Sequence, residues 1–189
     1  MHATRMRNVV LAVTLMAVVV SSCSESSART SAREGESPSA VVGDAGIEIG
    51  HALSEYRATT LSGTPVQLGG RGGPLTLVNV WATWCSSCRE EMQDLAAIDH
   101  DYAPRGLRVV AVSVDAGSEA LVRRFVQRES LPFAVVHDQA GAIQQQYHVV
   151  GVPTSYLVAS DGRVLWQQVG GIHGNLPTVR GEVEKALRQ

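Results

Sequence analysis

Cysteine is scarce in this chain, three among 189 residues, and only Cys85 and Cys88 stand close together. A structural zinc site takes four ligands, commonly two C-x-x-C pairs or one pair with two spaced histidines. There is no second pair, and His51, His100, His137, His148 and His173 show no H-x3–5-H spacing, which argues against zinc. Charge of one sign is also lacking. The net charge is −2 and there is no basic block, so neither nucleic acid nor anionic headgroups are indicated as partners. The uncharged run Val9–Val20 is short, since a helix needs about 20 apolar residues to span a bilayer. No internal repeat is present. The rest is ordinary for a globular protein: 44% hydrophobic and 18% charged residues, enough to bury a core. The length suggests one domain plus an extension at one end.

That extension is N-terminal. Arg5 and Arg7 precede the apolar run, and small residues follow it. This is the layout of a secretory signal peptide, residues 1–22. The run ends in Val20-Ser21-Ser22-Cys23, which resembles a bacterial lipobox, in which the cysteine is lipidated and becomes the first residue after cleavage. Residues 23–50 are rich in Ser, Ala, Gly and Glu without periodicity. Such a composition buries too little apolar area to offset chain entropy and predicts a flexible tether. Export would place residues 51–189 in an envelope compartment where disulfides persist.

Within the domain, Tyr56 to Leu68 has the pattern of a hairpin turning at Ser62-Gly63. Leu75–Trp81 and Leu107–Val114 are near-continuous apolar runs, as in strands buried on both faces. Cys88, Met92, Leu95, Ile98 and Tyr102 recur at helical spacing and the helix ends at Pro104 and Gly106. Ser118 is placed to cap a helix carrying Leu121, Val122, Phe125 and Val126. Pro132–His137 predicts a short strand and Asp138 the cap of a helix over 139–147. Ser155–Ala159 and Arg163–Val169 flank a Ser160-Asp161-Gly162 turn. A last helix is expected over 176–187, capped by Asn175, with Pro177 in its first turn. Trp81 and Trp166 are expected in the core. This alternation predicts an α/β fold, a mixed central sheet flanked by helices. Ligand sites in such sheets lie beyond the carboxyl ends of the strands, which is where Cys85 falls.

Two cysteines two residues apart at the start of a helix suit redox chemistry. The nucleophile in thiol–disulfide exchange is the thiolate. Unpaired N–H groups and the macrodipole at a helix N-terminus favour the charged sulfur. Cys85, the more N-terminal, is expected to attack a substrate disulfide. Cys88, one turn along, is expected to resolve the mixed disulfide.

The segment Val78-Asn79-Val80-Trp81-Ala82-Thr83-Trp84-Cys85-Ser86-Ser87-Cys88 resembles the active site of the thioredoxin superfamily, in particular its envelope branch of TlpA, ResA and CcmG type proteins. Tyr147 to Thr154 (Y-H-V-V-G-V-P-T), followed by the Asp161-Gly162 hairpin, matches the second motif in the expected order. The resemblance covers about residues 50–189. It implies a thioredoxin-like fold with an N-terminal hairpin and an inserted strand and helix within about Gly117–Gly141. It implies that Pro153 is a cis-proline facing the dithiol. Val152 and Thr154, with Trp84, would line the substrate surface, the Val152 backbone pairing with an extended chain. Asn79 stands where cytoplasmic thioredoxins carry a buried aspartate, and Glu91 matches a glutamate of the envelope branch. Three residues past Cys88 it shares a helix face with it, and it is expected to tune the Cys88 thiol or relay its proton.

There are departures from the family pattern. Ser86-Ser87 lacks the common proline, so the Ser87 N–H remains available to a sulfur and the potential should be less negative. Met92-Gln93 follows the glutamate where proline is frequent. Gly151-Val152-Pro153-Thr154 lacks the Pro-Glu-Thr of the CcmG type, which argues against a dedicated haem-pathway role within cytochrome c maturation.

The expectation is therefore a lipid-anchored monomer that reduces disulfides of envelope proteins, a link to cytochrome c maturation staying open, and is re-reduced by a membrane electron donor, with no cofactor. A disulfide oxidant or isomerase, a thiol-based metal or haem chaperone, and a peroxidase are the alternatives. The chaperone lacks a third soft ligand, and the tryptophan-flanked pair argues against a peroxidatic cysteine.

Overall fold

A computed structural model of the chain describes residues 47–189. The expected signal peptide, the lipidation candidate Cys23 and the tether up to residue 46 lie outside the described residues.

Among the described residues seven strands and four α-helices follow in the order β1 (Tyr56–Thr59), β2 (Pro65–Leu68), β3 (Leu75–Trp81), α1 (Ser86–Tyr102), β4 (Leu107–Ser113), α2 (Glu119–Glu129), β5 (Ala134–His137), α3 (Ala142–Gln146), β6 (Thr154–Val158), β7 (Val164–Val169) and α4 (Leu176–Ala186). The central sheet has the order β5-β4-β3-β6-β7. β3, β4 and β5 run parallel, and β6 and β7 run antiparallel to their neighbours. β1 and β2 form a separate hairpin. It covers the β5 edge through a Thr60–Val136 bridge and the Leu61 N–H, which donates to the Val135 carbonyl at 2.7 Å. The segment expected to carry the extra strand and helix, about Gly117–Gly141, holds α2 and β5.

Successive residues of a strand face opposite sides of the sheet, and β3 sends its side chains into two cores. Leu77 and Trp81 join the cluster beneath α1, α2 and α4, with Met92, Leu95, Ile98, Phe125 and Val183. Val78 and Val80 join Tyr56, Leu68, Tyr147 and Tyr156 on the other side. Asn79 has the parity of Leu77 and Trp81, so its amide enters the core under α1. Trp81 is fully buried against Phe125, and Trp166 is packed at the rim of the same core.

Several boundaries differ from the sequence reading. Ile47, placed in the tether, is buried, and the Gly50 N–H donates to the Val164 carbonyl at 2.7 Å, so ordered packing begins ahead of residue 51. α3 starts at Ala142 rather than after Asp138. Gly141 takes the cap position while the Asp138 carboxylate accepts the Ile143 N–H at 2.7 Å. Asn175 precedes α4 but makes no side-chain cap. Leu121 stays exposed on α2, whereas Val122 and Phe125 are buried. The β6–β7 turn requires Gly162 on two counts. Its φ is +86°, and a Cβ there would stand 2.3 Å from the Gly70 carbonyl oxygen. L-residues rarely adopt that conformation.

Candidate active site

β3 ends at Trp81, and the chain turns through Ala82-Thr83-Trp84 into α1. A buried carboxylate shapes this turn. Asp115, just beyond the carboxyl end of the neighbouring parallel strand, accepts the Thr83 N–H at 3.0 Å and the Thr83 hydroxyl at 2.6 Å. It also accepts the Ser113 hydroxyl at 2.6 Å. The Thr83 carbonyl in turn accepts from Arg89 at 3.0 Å. The sequence reading missed Asp115. Its signal was a carboxylate placed where two parallel strands end side by side.

Cys85 occupies the N-cap of α1, and its sulfur accepts the Cys88 N–H at 3.2 Å. The two cysteines form a disulfide with Cα atoms 5.2 Å apart. Cys85 is 7% exposed and Cys88 is fully buried, the asymmetry expected from their order on the helix. The Ser87 hydroxyl lies 3.5 Å from Cys85 Sγ. Within the helix turn, the contacts to this sulfur thus come from the Ser87 side chain and the Cys88 backbone, not from the Ser87 N–H to which the sequence pointed.

The Val152–Pro153 peptide is cis, and the Val152 carbonyl oxygen lies 3.7 Å from Cys85 Sγ. The carbonyl of the residue before Pro153 therefore lies beside the dithiol. Trp84 is 67% exposed beside the disulfide and does not pack at the strand end. Thr154 needs correcting as a contact residue. It is fully buried, and its hydroxyl donates to the Gly151 carbonyl at 2.7 Å. It can brace the loop that carries Pro153 but presents no side chain to a substrate.

Glu91 is fully buried one turn past Cys88. Its Oε1 accepts from the Asn79 amide at 2.8 Å and its Oε2 accepts the Ile172 N–H at 2.7 Å. The same Asn79 amide donates to Ser155 Oγ at 3.0 Å, a contact set by register, because Asn79 and Ser155 are direct partners in the β3–β6 ladder. Burial dominates the electrostatics. It pushes the Glu91 carboxyl up to about 7, the nearby Asp94 charge adds to this, and the bonds from Ile172 and Asn79 hold it back. Desolvation penalises the charged form. The group therefore changes charge near neutral pH, where proton transfer to or from a thiol is useful.

Among the described residues no group of three His, Cys, Asp or Glu side chains is arranged to hold a metal, and no helix is long and apolar enough to cross a membrane.

Comparison with known proteins agrees with this geometry. The AhpC/TSA family model matches residues 49–167. The chain is 32% identical over 125 residues to the thiol-disulfide oxidoreductase ResA of Bacillus thuringiensis subsp. konkukian, covering 66% of this chain and 71% of that one. It is 35% identical over 129 residues to the thioredoxin-like protein YneN of Bacillus subtilis, covering 67% and 75%. A crystal structure described as a thiol:disulfide interchange protein DsbE, from Chlorobium tepidum, superposes with a TM-score of 0.69 at 28% identity, covering 75% of this chain and 99% of that one. With a disulfide at a helix N-terminus on this sheet, and relatives named for the corresponding chemistry, the chain belongs to the AhpC/TSA family as a thioredoxin-fold thiol–disulfide oxidoreductase.

Proposed function

We propose that the enzyme is a reductase of disulfides in envelope proteins, exported and held at the membrane by lipidated Cys23. The observation that carries this reading is the arrangement around the pair: Cys85 at a helix N-cap, Cys88 fully buried behind it, and a buried carboxyl titrating near neutrality one turn further. The Cys85 thiolate attacks one sulfur of a substrate disulfide. That S–S bond breaks, and the departing thiolate takes a proton from solvent. Cys88 gives its proton to Glu91 and attacks Cys85 Sγ. The mixed disulfide breaks, the second substrate sulfur leaves as a thiolate and takes a proton from solvent, Glu91 releases its proton to solvent, and the protein holds the Cys85–Cys88 disulfide. A membrane dithiol donor returns two electrons and two protons. Val152, with Trp84 and Pro153, holds the substrate strand over Cys85. The Gly151–Thr154 segment supports a general reductase role more than one confined to cytochrome c maturation.

The equilibrium reduction potential of the protein against a glutathione series tests the direction. A value near about −270 mV, that of thioredoxin, supports the reductase; a value near about −120 mV, that of DsbA, makes it an oxidant. The oxidant reading has one observation behind it, the Ser87 hydroxyl beside Cys85 Sγ. Donation to a thiolate stabilises the reduced form and raises the potential. Ser87→Ala is therefore expected to make the potential more negative, by at most about 30 mV, or about tenfold in the exchange equilibrium. An unchanged or less negative potential removes Ser87 from the tuning of the dithiol.

A further inference from the structure

Glu91 receives one of its two hydrogen bonds from a backbone amide, and that peptide group is itself clamped. The Ile172 N–H that donates to Glu91 Oε2 at 2.7 Å belongs to the same peptide plane as the Gly171 carbonyl. That carbonyl accepts the Gln168 side-chain amide at 2.6 Å. Gln168 Oε1 in turn accepts from the Asn175 amide at 2.7 Å. The peptide plane is therefore bonded on both edges, and neither edge can rotate without losing its partner. Ahead of it, the Gly170 N–H donates to the Pro153 carbonyl at 2.8 Å, which ties the loop to the segment facing Cys85.

We propose that Gln168 is a positioning residue for the exchange reaction, orienting the Gly171–Ile172 peptide group against Glu91, with Asn175 fixing Gln168 from behind. This rests on the reading of Glu91 as the proton-handling group. Hydrogen bonds in series polarise one another, so donation into the Gly171 carbonyl also strengthens donation by the Ile172 N–H. A bond to the charged form of a carboxylate lowers its proton affinity. Gln168 therefore acts on Glu91 across a single peptide group, without touching it. The other groups facing Glu91 are Asn79 from β3, with Ser155 of β6 behind it, and Asp94 on α1, which is paired with His173 at 2.6 Å. The dithiol lies one turn away along α1. None of these requires Gln168.

The test is a pH titration of the Glu91 side-chain carboxyl carbon by NMR in the disulfide form, its resonance assigned by its loss in Glu91→Gln. It is paired with the pH dependence of the rate at which dithiothreitol reduces the protein. Gln168→Met keeps the length of the side chain and removes both bonds. It is expected to raise the proton affinity of Glu91 about threefold, moving the titration midpoint and the rate inflection up together. Asn175→Ala should move both in the same direction by less, and provides the measurement if Gln168→Met does not fold. In a Glu91→Gln background Gln168→Met should leave the pH–rate profile unmoved. A folded Gln168→Met or Asn175→Ala protein whose midpoint stays at the wild-type value overturns the proposal, because a merely structural clamp would alter stability alone. If Glu91→Gln itself keeps the rate inflection, the reading of Glu91 fails and the proposal falls with it, an outcome distinct from an unmoved midpoint.

Discussion

Replacing Glu91 with Gln is expected to remove a pH dependence of stability worth about 3 kcal/mol, at about 1.36 kcal/mol per pKa unit. The carboxyl titrates at its ordinary value of 4.5 when unfolded and at about 7 when folded. Below about pH 4.5 both states hold the proton and burial carries no charge penalty. As the pH rises, the unfolded chain releases the proton first. The folded state therefore loses stability progressively up to about pH 7, beyond which the loss is constant. Denaturant unfolding of the disulfide form at the two ends of this window should show a loss that is larger in the wild type than in Glu91→Gln by about that amount. The comparison cancels groups common to both proteins, Asp99 among them. Exchange should suffer as well. A positioned acid–base group contributes about 100-fold or more, so the variant should be slower by about that factor near neutral pH, with its rate inflection gone. Equal pH slopes of stability in the two proteins would mean that Glu91 is not held in the charge-disfavouring environment described.

The second large effect is expected at Asp115. Its carboxylate holds Thr83 by both N–H and hydroxyl, and it is 3% exposed. Alanine leaves the Thr83 N–H, which is half-buried, and the fully buried Ser113 hydroxyl without their acceptor. Each hydrogen bond to a charged group is worth about 1.5–3 kcal/mol, so Asp115→Ala should cost about 3 kcal/mol or more. The Thr83 turn feeds directly into Cys85, and a misplacement of about 1 Å can cost about 100-fold in rate. Slower exchange should therefore accompany the lost stability, even under conditions where the variant is fully folded. Unfolding curves and exchange kinetics on the same preparation separate the two. A folded variant with wild-type rates would show that Cys85 keeps its place without the Asp115 anchor.

Much of this site was legible from residues near one another in the chain. The apolar run of β3, the spacing of α1 and the Cys85–Cys88 pair are local patterns, and all three elements appear within a residue or two of the expected places. The turn at Gly162 was legible for the same reason, whereas the cis bond before Pro153 was expected only from the family resemblance. The interior of the site was less so. Glu91 could be placed on the face of α1 that carries Cys88, but its neighbours in the chain, Glu90 among them, do not show whether it is enclosed. Thr154, expected at the substrate surface, instead turns its hydroxyl inward to Gly151.

The sequence by itself determined the sheet-and-helix alternation, the redox pair and its position at a helix start, because hydrophobic period and helix-terminus chemistry act over a few residues. Only the tertiary structure decided that Glu91 is enclosed, that Asn79 and Ile172 are its donors, that Asp115 holds the turn and that Gln168 grips the Gly171 carbonyl. Asn79 and Ser155 are 76 residues apart and Glu91 and Ile172 are 81 apart. Such contacts follow from strand register and from loops crossing over a sheet. A buried polar group needs partners of the right geometry, and nothing in the neighbouring sequence says which distant segment supplies them.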